Sequence, residues 1–167
     1  MAYDASRHGI WFCTMDGVFF FDIASKTSDK VKMDLVKGNH QPSRFHCIYL
    51  TNDGRLVVGG YGLCIIDIHD FEPETACKTE FYSTLNPDSG DDLERFSSIT
   101  QSKDGVLFVG SNNSGFYEIR PDGYCKNWPL SNALAENNIT ARISKILSDE
   151  DGNIWAGTVT GIYLANM

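Results

Sequence analysis

Four stretches of this chain repeat one another. They read SRHGIWFCTMDGVFFFDI from Ser6, TNDGRLVVGGYGLCIIDI from Thr51, SKDGVLFVGSNNSGFYEI from Ser102 and DEDGNIWAGTVTGIYLAN from Asp149. Each has a turn ending in Gly, a short apolar run, a second turn of small residues with Gly, and another apolar run. Gly9, Gly54, Gly105 and Gly152 anchor the copies at spacings of 45, 51 and 47 residues. A period of that length fits one β-propeller blade, four antiparallel strands of about 5–6 residues with their turns.

The sequence between the copies supplies the other strands. Alternating segments at Phe45–Leu50, Phe96–Gln101 and Ile143–Ser148 precede the Gly turns and read as the inner strand, a. The two apolar runs are strands b and c. Lys30–Val36, Cys77–Tyr82 and Tyr124–Trp128 are more polar and read as the outer strand, d, which fits an exposed edge. Asp53-Gly54, Asp104-Gly105 and Asp151-Gly152 read as a-to-b hairpin turns, where Gly accepts the positive φ required. The units run approximately over 6–36, 44–82, 95–128 and 142–165. Nothing before Ser6 reads as a strand a, and the chain ends at strand c over Gly161–Ala165. The expected count is 14 strands, about 3.5 blades in a single partial domain 1–167. The expectation is an all-β piece of a larger, seven-bladed propeller. Two copies would hold 28 strands, the number in such a ring, and self-association as a homodimer through open blade faces is expected.

Composition narrows the function classes. Net charge is −8, which argues against a nucleic-acid partner, because phosphate binding needs a positive footprint. No apolar run is longer than that of Val18 to Phe21, which is far too short for a membrane segment. The N-terminus shows no charged region followed by an apolar run, and so no signal peptide. Cys13, Cys47, Cys64, Cys77 and Cys125 include no Cys-x-x-Cys pair, and an odd number argues against a full disulfide framework. They read as small buried strand residues.

The last unit is the most specific. Asn138-Ile139-Thr140 leads to Ile143, Ile146 and Asp149, then to Asp151-Gly152-Asn153-Ile154-Trp155-Ala156-Gly157-Thr158 and Gly161-Ile162-Tyr163. This resembles the two-component regulator propeller repeat, whose core reads Asp-x-x-Gly-x-Ile-Trp-x-Gly-Thr-x-x-Gly-Leu. The other units depart from it. Trp11 stands one place earlier relative to its glycine, Val57 and Phe108 replace Trp155, and Gly60 and Ser111 replace Thr158. The resemblance implies a periplasmic sensor region of a hybrid two-component histidine kinase of Bacteroidetes, sensing glycan fragments and controlling polysaccharide-utilisation genes. It implies an oligosaccharide ligand and no cofactor. The chain itself has no kinase nucleotide box, phospho-acceptor helix or DNA-binding helix pair.

Trp11, Phe108 and Trp155 on strand b read as inter-blade core rather than as a sugar-stacking platform. Gly157 and Thr158 read as residues that let blades approach closely. Arg44, Arg95 and Arg142 each stand ten residues before their turn glycine, at the start of strand a. They form either an electropositive channel mouth for a carboxylate or sulfate, or three local contacts, for instance with Asp92 or Glu94, that close their blades. The d-to-a loops 37–43, 83–94 and 129–141 share that edge with the b-to-c turns at Met15-Asp16, Tyr61, Asn112-Asn113 and Val159-Thr160. Location alone makes His40, Tyr61, Asn112 and Asn113 candidate sugar contacts.

His40, His46 and His69 have no metal-ligand spacing. Asp149-Glu150-Asp151-Gly152 has the wrong ligand alternation for a calcium loop. Gly105-x4-Gly110-Ser111 lacks the lysine of a phosphate loop. Asp88, Asp91 and Asp92 read as a solvated acidic loop, and no serine or cysteine has a nucleophile motif. The residues leave three function classes: a non-enzymatic sensor, an interaction scaffold without a small ligand, and a propeller lyase, for which no clustered acid–base pair is seen.

Overall fold

The computed structural model describes residues 1–37, 44–82, 94–130 and 142–166. All regular structure within them is β-strand, sixteen strands in four small sheets built as propeller blades. The chain divides into two compact units, residues 1–83 and 84–167, of two sheets each. Among the described residues, no helix is long and apolar enough to cross a membrane.

In the first unit, β1 (Ala2–Asp4), β2 (Gly9–Thr14), β3 (Gly17–Asp22) and β4 (Thr27–Lys30) form an antiparallel sheet in chain order. β1 corrects the expectation that strand a is missing. Three residues suffice because Asp4 closes the turn behind them. Its carboxylate accepts from Ser6 N and Oγ, from Arg7 N and Nη1, and from Trp11 Nε1 at 2.9 Å. The a-to-b turn differs too. The left-handed residue is His8 (φ 51°), not Gly9, whose missing side chain makes room for the Phe20 ring.

Strand d is the second correction. The sequence reading places one strand over Lys30–Val36, but β4 ends at Lys30. Val31 is buried and donates its N–H to Val18 O at 2.8 Å. Beyond this anchor, β5 (Lys32–Lys37) joins the second sheet, parallel to β9. That sheet otherwise contains antiparallel β6 (Cys47–Leu50), β7 (Arg55–Gly60), β8 (Gly62–Asp67) and β9 (Ala76–Tyr82), in the order β5-β9-β8-β7-β6. With β5 outside it, β9 is no longer an edge, and Cys77, Thr79 and Phe81 are buried. These two strands raise the count from 14 to 16.

The core of this unit lies between the two sheets. Trp11, Val18 and Phe20 meet Leu56, Val58, Cys64 and Ile66. Phe71 stands edge-on to Trp11, with centroids 4.9 Å apart. Arg7 extends from the β1–β2 turn to donate to the carbonyls of Ile68 and His69.

In the second unit, β10 (Phe96–Gln101), β11 (Leu107–Ser111), β12 (Phe116–Ile119) and β13 (Cys125–Trp128) form one antiparallel sheet. β14 (Ile143–Ser148), β15 (Ile154–Thr158) and β16 (Gly161–Ala165) form the other. Phe108 and Phe116 pack against Ile143, Ile146, Ile154 and Ala156. Gly110 permits this approach: a Cβ there would lie 2.6 Å from Ile143 Cγ2. Ser98 Oγ and Thr100 Oγ1 accept from the N–H groups of Ile146 and Ser148, joining the inner strands. All five cysteines lie in strands and are free. Cys64 and Cys77 are buried, Cys13 and Cys47 are intermediate, and Cys125 is exposed, which departs from the expected burial of all five.

Asp4 offers a direct check on the first sheet. Burial alone would raise its carboxyl, but hydrogen bonds from Ser6, Trp11 and Arg7 outweigh that and hold it at about 2. A carboxyl lowered from 3.8 stabilises the fold above its unfolded value and loses that contribution as pH falls through the folded one. Asp4→Asn should therefore cost about 2 kcal/mol at neutral pH. Thermal melts across pH should show the gap to wild type closing between about pH 4 and pH 2. A gap that does not change with pH would contradict this role.

Candidate functional site

Antiparallel pairing sets the start of each inner strand beside the b-to-c turn of its own sheet. Cys47 faces Gly59, Phe96 faces Ser111 and Ile143 faces Thr158. Arg44, Arg95 and Arg142 therefore stand at equivalent edges of their three sheets. Arg95 and Arg142 directly precede β10 and β14, and Arg44 stands three residues before β6.

In the first unit this edge brings Arg44, His46 and Tyr61 together. The Arg44 guanidinium carbon lies 5.9 Å from the Tyr61 ring centroid, and the His46 ring 6.3 Å from the same ring. Arg44 N donates to Met15 O at the β2–β3 turn. Arg44 has φ 57°, a left-handed conformation that costs a non-glycine residue about 1–2 kcal/mol. A Cβ on Gly60 would fall 2.2 Å from Arg44 O, so the chain crosses there in contact with β7.

In the second unit, Asn112 donates its N–H to Arg95 O at 3.0 Å. Ser111 Oγ accepts from the N–H groups of Asn113 and Ser114, which shapes the β11–β12 turn. Glu94 is buried beneath it. Its Oε2 accepts from Ser114 Oγ at 2.6 Å, while Glu94 Oε1 and Asn112 Oδ1 are buried without a hydrogen-bond partner among the described residues. Glu94, named in the sequence reading as a partner for Arg95, thus bonds to Ser114. Asn113 and Arg142 are exposed, and Arg95 is half-buried. His40, Asp88, Asp91, Asp92 and most of the d-to-a loops lie outside the described residues. No group of three His, Cys, Asp or Glu side chains that could hold a metal occurs among the described residues.

The opposite edge carries the residues that sequence reasoning missed. His69 Nδ1 lies 2.7 Å from Asp67 Oδ1 and Nε2 lies 2.8 Å from Asp53 O, tying the two turns of the second sheet together. Beside them an open cleft of about 680 Å³ is lined by Arg7, Asp22, Asp29, His69, Asp70 and Phe71, among others. No motif marks these residues, because strands far apart in sequence assemble them. One signal was available: the acid that begins each Trp-bearing turn. Asp149 Oδ2 accepts from Trp155 Nε1 at 2.7 Å, just as Asp4 accepts from Trp11. Asp149 also receives the N–H groups of Asp151 and Asn153. Hydrogen bonds from Trp155 and Asn153 hold its carboxyl at about 2. The repeat's Asp-to-Trp spacing is thus the length of a turn locked by its own carboxylate.

Residues 134–160 match the family model of the two-component regulator propeller. That regulator-propeller repeat is the segment whose Asp149–Trp155 bond has just been described. None of the curated proteins matches the chain. Among solved structures, PorZ, a surface component of the type-IX secretion system of Porphyromonas gingivalis, superposes with TM-score 0.70 at 14% identity. The match covers 99% of this chain and 25% of PorZ. Virginiamycin B lyase from Staphylococcus aureus superposes with TM-score 0.65 at 14% identity, covering 98% of this chain and 53% of the lyase. The chain therefore spans about half the length of the lyase and a quarter of PorZ. Both likenesses show the propeller fold alone. The extracellular domain of BT4673 from B. thetaiotaomicron, described as a hybrid two component system, superposes only at TM-score 0.46. Identity is 19%, over 95% of this chain and 26% of that one.

Two measurements check these edges. Hydrogen bonds that His69 donates to the Asp67 carboxylate and to the Asp53 carbonyl favour its imidazolium and raise it above 6.5. This contribution is present below the unfolded value and is lost as pH rises through the folded one. An NMR titration should find His69 above 6.5 in wild type and lower in Asp67→Asn; equal midpoints would contradict the tie. At the other edge, Arg44→Gly relieves the left-handed strain that Arg44→Ala retains. Urea unfolding should show the glycine variant more stable than the alanine variant by about 1 kcal/mol. An alanine variant of equal stability would contradict it.

Proposed function

We propose that the chain is a non-enzymatic ligand-reading segment of a two-component signalling protein. The regulator-propeller repeat at 134–160 carries this reading. The segment works in the periplasm and recognises glycan fragments, and the parent protein uses that recognition to control polysaccharide-utilisation genes. Recognition belongs to the b-to-c edges of the sheets. In the first unit Arg44 offers a guanidinium and Tyr61 an aromatic face; in the second, Arg95 and Arg142 offer guanidinium groups and Asn112 and Asn113 offer amides. Guanidinium favours carboxylate or sulfate groups through paired, charge-assisted hydrogen bonds, so an acidic oligosaccharide suits the edge better than a neutral one. His40 belongs to the same proposal by its place in sequence.

The mechanism follows from two-state linkage: a ligand shifts the signalling equilibrium only by its difference in affinity for the two states. The likeness to virginiamycin B lyase reaches the fold and not the chemistry, since function resides in sites grafted on folds.

Titration calorimetry against uronate-containing and neutral oligosaccharides tests the reading. An acidic oligosaccharide should bind, and Arg44→Ala and Arg142→Ala should each weaken it about tenfold, the loss of one charge-assisted contact. Binding that neither substitution alters would remove the arginine edge from the proposal. Absence of binding to every acidic and neutral oligosaccharide would favour the scaffold reading.

A further inference from the structure

Within the first unit, the first sheet and the turn between β8 and β9 form the two banks of one cleft. Strand pairing sets Trp11 opposite Phe20, Phe20 opposite Asp29, and Thr27 opposite Asp22. Directly paired residues share a face of the sheet, as do residues two apart on a strand. Trp11, Phe20, Asp22 and Asp29 therefore lie on the forward face, the one that carries the strand-b aromatic. That face passes from a sealed aromatic at β2 to an acid at β4. The turn of the second sheet packs on its aromatic part. Phe71 stands edge-on to Trp11, and its ring centroid lies 5.7 Å from that of Phe20, with the planes at 66°. Asp70 and Glu72 flank Phe71 in sequence and line the same cleft. Each bank thus contributes two carboxylates and one phenylalanine ring.

The basic side chains beside the cleft are engaged elsewhere. Arg7 donates through Nη1 to Asp4 and through Nη2 to the carbonyls of Ile68 and His69. His69 uses Nδ1 on Asp67 and Nε2 on the Asp53 carbonyl. Among the described residues, no ion pair involves Asp22, Asp29, Asp70 or Glu72. The banks are also fixed in advance. Phe71 N–H donates to Ile68 O and Thr75 N–H to Glu72 O, closing two successive turns. On the other bank Asp22 Oδ1 accepts from Ser25 N at 2.7 Å. A cleft of about 680 Å³ has the size of a small-molecule site, and a preformed one loses little affinity to ordering.

We propose that this cleft binds a small aliphatic polyamine. Ammonium groups suit the carboxylates through charge-assisted hydrogen bonds, and a cation beside a ring face suits the two phenylalanines. A bare metal ion would leave the rings unused, and a neutral sugar would leave the carboxylates unpaired. A polyamine carries ammonium groups at separated points along an apolar chain, so it engages both banks and both rings at once. The site lies at the edge opposite Arg44 and Tyr61, and it does not depend on the glycan reading.

Titration calorimetry of the 167-residue chain with spermidine at low salt tests the proposal. Spermidine should bind at least about tenfold more tightly than butylamine, which has a single ammonium group. Asp29→Asn on one bank and Glu72→Gln on the other should each weaken spermidine about tenfold. Asp16→Asn, at the β2–β3 turn of the opposite edge, should leave its affinity unchanged. In proton NMR the spermidine methylene signals should move upfield on binding, through the ring currents of Phe20 and Phe71. Absence of spermidine binding, or binding that neither bank variant alters, would overturn the proposal. So would unshifted methylene signals. Magnesium binding of equal affinity, or an equal loss in Asp16→Asn, would overturn it too, since attraction to the net charge of −8 would then suffice.

Discussion

A sheet of three to five short strands cannot stand alone in water, because it leaves an apolar face wet. Everything else in this chain depends on covering that face. The strand-b aromatic supplies the forward surface, and the neighbouring sheet supplies a back surface cut to receive it. Trp11 reaches Leu56 and Val58 in this way, and Phe108 reaches Ile143 and Ile154. The small residues make this possible. Gly110 admits Ile143 at a distance that no side chain would allow.

The turns serve the same end. Asp4 and Asp149 each accept an indole N–H, fixing the tryptophan and closing the turn in one step. Three turn glycines, Gly54, Gly105 and Gly152, have φ of 79°, 84° and 84°. The first sheet reaches the same result with a longer turn, His8 in the left-handed position and Arg7 reaching the next sheet. The repeat is therefore conserved in its physics where it varies in its residues.

The period and the inner and middle strands were legible in the sequence because glycine spacing and apolar alternation report local geometry. Phe96–Gln101, Ile143–Ser148 and Gly161–Ala165 stand at the expected bounds. What was not legible was pairing at a distance. Ala2–Asp4 is too short to show a pattern, and becomes a strand only because Asp4 anchors it to Trp11. Lys30–Val36 reads as the outer strand of its own unit, whereas β5 (Lys32–Lys37) joins the next sheet. Its parallel partner β9 is more than forty residues away, and no local signal announces it. At the candidate edge, sequence placed Arg95 with Asn112 correctly in one region. It could not show that Glu94 bonds to Ser114, or that Arg44 is held in a left-handed conformation. The tryptophan motif was read as core. It is core at Trp11 and open at Trp155, because burial depends on the neighbour and not on the motif.

The central claim is that one structural position, the strand-b tryptophan, is sealed in the first sheet and open in β14–β16. Acrylamide quenching of single-tryptophan chains tests it most directly. One chain keeps only Trp155 and the other only Trp11, both measured at high dilution. The account predicts red-shifted, strongly quenched emission from Trp155 and blue-shifted, weakly quenched emission from Trp11. Equal quenching of the two would contradict it.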